Sequence, residues 1–266
     1  MTIRAVATDI DGTFLTNQRG YDHRLFHQVY QALVKQNVRL IVASGDQYYF
    51  LRSLFPKVAD QLAFVAENGA LTIDRGVEVH CGRLTRKNAY DIWQYVDYLS
   101  GVNYVICGRH SAYVMSTAPQ AFKQEMHQFY ARCREINDFT DIHDDLIFKF
   151  ALGVPGNQMR AIAHDIDTRF AGVIRATASG YGVIDLIIPG LDKSYGLKLL
   201  LDRWQLAPQE LAVFGDGEND LEMFNLAGIS YAMGNAPTNV QAAATQVIGT
   251  NNEQAVLHQL AKLFVE

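Results

Sequence analysis

The chain has 266 residues, 49% of them apolar and 19% charged, enough for one large domain or a domain carrying a sizeable insertion. Lys and Arg number 23 against 28 Asp and Glu, a formal charge of −5, opposite in sign to the basic excess of a nucleic-acid-binding surface. No apolar run approaches the ~20 residues of a membrane span, and Asp9 and Asp11 interrupt the first apolar run, so neither a membrane segment nor a secretory leader is expected. Cys81, Cys107 and Cys133 form no C-x-x-C pair, and their flanking sequences do not repeat; they suit reduced, buried thiols of a cytoplasmic protein.

Residues 3–8 read as a strand, followed by a helix over 22–36 with Leu25, Phe26, Val29, Leu33 and Val34 on one stripe. A buried-type strand at 38–43 ends at Ser44-Gly45, a helix covers 46–55, and a strand at 62–66 ends at Glu67-Asn68-Gly69. This β-α-β-α-β order predicts a parallel sheet with helices on its faces. Segments 71–74 and 77–80 flank Arg75-Gly76 as a hairpin. From 83 to 187 the pattern becomes α+β: helices at 85–99, 119–135 and 155–169, and strands at 103–107, 112–115, 146–152, 172–176 and 183–187. Alternation then returns with a helix at 193–204, a strand at 211–214, a helix at 220–226, a strand at 229–232 and a helix after Asn252. The expected fold is α/β, a Rossmann-like parallel-sheet core formed by 1–82 and 188–266, with an α+β domain of 83–187 inserted into it.

The chemistry concentrates at strand ends. The first strand runs into Asp9-Ile10-Asp11-Gly12-Thr13, and side chains two apart in an extended chain share a side, which would converge two carboxylates where open α/β sheets bind ligands. A solvated Asp-Gly turn is the plain alternative. The strand at 211–214 runs into Gly215-Asp216-Gly217-Glu218-Asn219-Asp220, an acidic glycine loop suited to a metal. It is not a calcium-binding EF-hand loop, because the twelfth position counted from Asp216 is Ala227 rather than glutamate. Asn219 or Asp220 has the alternative role of capping the next helix. Ser44-Gly45 before a helix offers a hydroxyl and backbone N–H groups to an anion. Lys193, at a helix start after Pro189-Gly190, offers a compact positive charge to a phosphoryl oxygen, though a lone lysine is ordinarily solvated.

Taken in order, Asp9-x-Asp11-Gly12-Thr13, Ser44, Lys193 and Gly215-Asp216-x-x-Asn219-Asp220 resemble the four motifs of the haloacid dehalogenase-type phosphatases. The insertion between Ser44 and Lys193 resembles the cap of the Cof-type members. Val42-Ala-Ser-Gly45, Ala66-Glu-Asn-Gly-Ala70, Ser111-Ala-Tyr-Val114 and Asp185-Leu-Ile-Ile-Pro-Gly190 are similar to bacterial SupH-type sugar phosphatases. The resemblance implies a Mg²⁺-dependent phosphomonoesterase for a small sugar phosphate. Asp9 would be the nucleophile and Asp11 the general acid and base, with Mg²⁺ held by Asp9, the Asp11 carbonyl and Asp216. Ser44, Gly45, Lys193 and Asn219 would bind phosphate, with Gly12, Thr13 and Asp220 in support. A phosphomutase sharing the aspartyl-phosphate, or a phospho-accepting receiver module, is the alternative; neither a nucleic acid nor a membrane is expected as partner.

Asp46 stands where many relatives carry arginine, and it is expected either to point toward the leaving group and accept sugar hydroxyls or to cap the next helix. Asn68 is expected to reach the substrate or to serve the turn before Gly69. Loops 108–118 and 177–183, and Tyr48, Tyr49, Tyr113 and Tyr181, are further candidates for substrate contact, with packing as their plain role. His23 and His27 lack the glutamate of a zinc-protease helix and read as surface. Asp138, Asp141, Asp144 and Asp145 read as a solvated loop.

Overall fold

A computed structural model describes residues 2–178 and 182–265. The first half of one sheet comes from β1 (Ala5–Thr8), α1 (His23–Lys35), β2 (Arg39–Ala43), α2 (Tyr48–Leu54), β3 (Ala63–Ala66) and the hairpin of β4 (Leu71–Asp74) and β5 (Val77–Cys81). The chain then builds α3 (Arg86–Tyr98), β6 (Asn103–Gly108), β7 (Ala112–Met115), α4 (Gln120–Phe129), β8 (Cys133–Ile136), β9 (Ile147–Gly153), α5 (Met159–Arg169), β10 (Arg175–Ala178) and β11 (Val183–Ile187). It returns to the first sheet through α6 (Lys193–Trp204), β12 (Leu211–Gly215), α7 (Leu221–Leu226), β13 (Ile229–Ala232), α8 (Thr238–Ala243), β14 (Gln246–Val247) and α9 (Ala255–Phe264).

The first sheet has the order β14-β13-β12-β1-β2-β3-β4-β5, parallel from β14 to β3 and antiparallel across the hairpin. Its strands are buried on both faces, and the pleat sorts their side chains. Val6, Val42, Phe64 and Phe214 face α1 and α9, while Ala7, Ile41, Val65 and Val213 face α6, α7 and α8. The second sheet, β10-β11-β9-β6-β7-β8, is antiparallel except for the parallel pair β7–β8. Tyr104, Ile106, Phe150, Leu152 and Leu186 pack against α3 and α5. On its other side Val105, Cys107, Val114 and Phe148 join an apolar cluster that includes Ala70, Cys81, Ile188 and Leu191 of the first unit. The two sheets are therefore fastened by packing as well as by chain connections. Among the described residues no helix is long and apolar enough to cross a membrane.

Three expectations need correction. The helix expected over 119–135 ends at Phe129, and Cys133–Ile136 is a strand beside β7. The chain turns extended at Tyr130, whose ring is buried against the second sheet, and packing there overrides helix propensity. The strand expected at 172–176 lies at Arg175–Ala178, because residues 171–173 form a turn after α5. The short α8 and β14 were not expected; neither offers enough residues to establish a period.

Phe150 is fully buried in the second sheet's core, in the same cluster as Trp93, whereas Trp204 packs with the first sheet. Phe150→Ala is expected to lower stability by about 3–5 kcal/mol, read from urea unfolding followed by tryptophan fluorescence; a loss under about 1 kcal/mol would contradict that packing.

Candidate active site

β1 ends where its backbone still pairs with β12, Asp9 N–H donating to the Phe214 carbonyl at 3.0 Å. The following turn, Ile10–Phe14, needs Gly12 at φ +74°, and a Cβ there would strike the Asp216 carboxylate. Gly12 thus allows loops from β1 and β12 to touch. Thr13 Oγ1 donates to Asp216 Oδ1 at 2.6 Å, and Asn235 Nδ2 donates to the Gly12 carbonyl at 2.8 Å.

Behind these loops Lys193 enters from the first turn of α6, which Asp192 caps through the Tyr195 N–H. Its Nζ donates to Asp9 Oδ1 and to Asp220 Oδ1, each at 2.6 Å, in a pocket where its side chain is fully buried. Asp220 does not cap α7; its second oxygen accepts from the N–H groups of Asp216 and Gly217, both at 2.9 Å. Ligand oxygens of Asp9, Asp216 and Asp220 lie within 4.8 Å of one another.

Burial pushes Asp9 up to about 6; Lys193 opposes the shift, and the charges of Asp216 and Asp11 add to it. Burial likewise pushes Asp216 and Asp220 up to about 6. Burial alone would lower Lys193, but Asp220 and Asp9 outweigh it and hold the ammonium above the ordinary lysine range.

At the end of β2, Ser44 Oγ accepts from the Asp46 N–H at 3.1 Å. Asp46 does not cap α2, whose N-cap position is Gln47 without a side-chain cap bond. Its carboxyl faces that of Asp11, and burial together with the Asp11 charge holds it well above the usual carboxylate range. The loop after β3 is left-handed through Glu67, Asn68 and Gly69, at φ 54°, 52° and 90°. Such a run costs of order 1 kcal/mol or more per non-glycine residue. Asn68 Nδ2 donates to Asp185 Oδ2 at 2.9 Å, and Asn219 Nδ2 donates to Asn68 Oδ1 at 3.2 Å, so Asn68 and Asn219 meet as one unit.

The strand ends thus bring Asp9, Asp11, Gly12, Thr13, Asp216, Lys193 and Asp220 together, with Ser44, Gly45, Asp46, Asn68 and Asn219 beside them. Other candidates have packing or surface roles. Tyr48 packs on Phe64, Tyr49 lies under the Arg132 guanidinium at 3.5 Å, and His23 and His27 are exposed on α1. Asp145 corrects the solvated-loop reading, accepting from the N–H groups of His110 and Ser111 and from the Tyr113 hydroxyl, and thereby pinning the 108–111 turn. Asp138 and Asp141 cap a short 3₁₀ turn. Tyr181, and residues 179–181 of the 177–183 loop, lie outside the described residues. Lys149, Glu67 and Asp185 were missed; a single charge inside each of the apolar strands 146–152 and 183–187 was the available signal.

The sequence profile of the haloacid dehalogenase-like hydrolases matches residues 6–260, and the chain belongs to that family. It is 36% identical, over 99% of its length and 97% of the relative's, to the 5-amino-6-(5-phospho-D-ribitylamino)uracil phosphatase YbjI of Escherichia coli (strain K12). It is 26% identical, over 97% of each chain, to the 5-amino-6-(5-phospho-D-ribitylamino)uracil phosphatase YitU of Bacillus subtilis (strain 168). Among solved structures, SMU.1108c from Streptococcus mutans UA159 superposes with a TM-score of 0.93 at 32% identity, covering 100% of both chains. The enzyme is accordingly a phosphoric monoester hydrolase of this superfamily, a group that generally uses a divalent metal.

The raised carboxyls give a signed prediction. Asp9, Asp216 and Asp220 bind more protons folded than unfolded between pH about 4 and about 6, so this part of the stability is present at low pH and lost as pH rises through that window. A bound divalent cation offsets the repulsion among the ionised groups. The rise in Tm on adding Mg²⁺ to metal-free protein is expected to be larger at about pH 7.5 than at about pH 5; calorimetry giving equal rises would contradict it.

Proposed function

We propose that the enzyme is a Mg²⁺-dependent phosphatase acting on small phosphorylated polyhydroxy compounds, sugar phosphates foremost. The observation that carries the reading is Asp9 itself, buried, 2.6 Å from the Lys193 ammonium and grouped with Asp216 and Asp220. The donor set fits the metal: the carboxylates supply hard oxygens, and Gly12 keeps the space beside Asp216 free of a side chain. Asp9, the Asp11 carbonyl and Asp216 would hold Mg²⁺, whereas Asp220 is committed to Lys193 and two backbone amides. Bound there, the ion would neutralise charge on the phosphoryl oxygens.

In this reading the Asp9 carboxylate attacks phosphorus as the ester P–O bond breaks, and Asp11 gives its proton to the leaving oxygen. Asp11, now ionised, takes a proton from the water that attacks the aspartyl-phosphate, releasing phosphate and regenerating Asp9. Ser44, the Gly45 backbone, Lys193 and Asn219 would hold the equatorial oxygens as charge spreads over them. Residues 83–187 would form the cap domain that reads the leaving group over a core of 1–82 and 188–266. Relatives named for a phosphoribitylamino-uracil substrate support a phosphate on a polyhydroxy chain as the shared feature.

The test is phosphate release from sugar phosphates, the phosphoribitylamino-uracil, nucleotides and p-nitrophenyl phosphate, with Mg²⁺ or EDTA. Metal-dependent release from the polyhydroxy phosphates is expected, with Asp9→Asn slower on the order of a thousandfold or more. An Asp9→Asn enzyme near wild-type rate would contradict the role given to Asp9. Asp46→Ala is expected to reduce kcat/KM for sugar phosphates more than for p-nitrophenyl phosphate; equal losses would remove Asp46 from leaving-group recognition.

A further inference from the structure

β9 carries one ammonium among uncharged residues, Ile147-Phe-Lys-Phe-Ala-Leu-Gly153. Lys149 is only 2% exposed, a burial that lysine tolerates only when paired. Its Nζ donates to the Gly45 carbonyl at 2.8 Å and lies 2.6 Å from Glu67 Oε2 and 3.7 Å from Asp185 Oδ1. Gly45 and Glu67 follow β2 and β3 of the first sheet, while Lys149 and Asp185 belong to the second, so one buried cluster joins the two units at the rim of the site.

Its partners Gly45 and Glu67 lie on two loops that flank the site. Glu67 and Asn68 are left-handed, and the loop is tied to the phosphate loop by Glu67 N–H donating to the Asp46 carbonyl and Asn68 N–H donating to the Ser44 carbonyl, both at 3.0 Å. The peptide joining Gly45 to Asp46 is planar, so its carbonyl and its N–H point in opposite directions. A cation that grips the Gly45 carbonyl therefore sets the direction of the Asp46 N–H, which meets Ser44 Oγ on the other side.

We infer that Lys149 is a positioning residue for phosphate binding: from the second sheet it fixes the Gly45–Asp46 peptide, and through it the Ser44 hydroxyl, in the orientation that receives phosphate. This rests on the phosphatase reading of the site. Complete formation of the phosphate loop then depends on the second sheet being seated on the first.

The experiment compares wild type, Lys149→Met, Glu67→Gln and Lys149→Met/Glu67→Gln. The double variant keeps the formal charge of the Lys149–Glu67–Asp185 cluster unchanged, since one positive and one negative group are removed together. Calorimetric binding of inorganic phosphate in Mg²⁺, kcat and KM on p-nitrophenyl phosphate, and Tm are read for each. Both variants lacking Lys149 are expected to bind phosphate about tenfold or more weakly, the double variant regaining Tm but not affinity. Glu67→Gln alone, which leaves the ammonium–carbonyl bond, is expected to stay within about twofold of wild type. Where Lys149→Met does not fold, the double variant carries the comparison. Phosphate affinity in the double variant equal to wild type overturns the inference and leaves the phosphatase reading standing. A wild type that neither cleaves any monoester nor binds phosphate overturns that reading and the inference together.

Discussion

The ammonium of Lys193 lies 2.6 Å from a carboxylate oxygen of Asp9 and 2.6 Å from one of Asp220, with Asp216 and Asp11 close enough for their charges to raise Asp9. The Lys193 ammonium alone does not balance Asp9, Asp11, Asp216 and Asp220, which leaves this part of the site short of positive charge. Removing it would leave buried carboxylates uncompensated, a loss of about 3–5 kcal/mol for a pair of this kind. The same shortage is what makes the site receptive to a divalent cation, whose charge lowers the protonation demand of Asp9 and Asp216 together. Asp220 acts differently. Bonded to Lys193 and to two amides of the 215–217 loop, it aligns the ammonium and the Asp216 carboxylate with each other.

Parallel strands explain why such a concentration of charge folds. The loops that carry Asp9, Ser44, Glu67 and Asp216 leave the carboxyl ends of β1, β2, β3 and β12, and these strands are adjacent in the sheet. Apolar faces of the strands are buried between helices on both sides, so the repulsion at the rim is offset by the core beneath it. The second sheet contributes from outside that core. Its apolar face packs toward Ala70 and Cys81, and its buried charges Lys149 and Asp185 reach the loops after β2 and β3. The geometry of Gly45 and Asn68 is thus partly set by residues 104 and 117 positions away in the chain.

The catalytic candidates were legible because their signal is local. Asp9 and Asp11 sit two apart at a strand end, Asp216, Asn219 and Asp220 share one glycine loop, and Lys193 opens a helix; each pattern fits within a few residues. The alternation of strands and helices also foretold the parallel sheet. What stayed hidden depends on contacts between distant segments. Nothing near Glu67 announces Lys149, and nothing near Asn68 announces Asp185; only the topology joins them. Asp46 was read as facing a substrate or capping α2; it does not cap α2, and the placing of its carboxyl against that of Asp11, a neighbour set by strand order, was not legible. The helix that was expected to continue to 135 stops because Tyr130 has a buried place to go, which no helical period encodes.

Whether Asp9 takes the phosphoryl group before water does is tested most directly by the stereochemical course at phosphorus. A phosphorothioate monoester made chiral with oxygen isotopes would be hydrolysed in isotopically labelled water and the configuration of the released thiophosphate determined. Two successive in-line displacements, first by Asp9 and then by water, predict net retention. Net inversion would mean that water attacks the substrate directly, and would contradict a covalent role for Asp9.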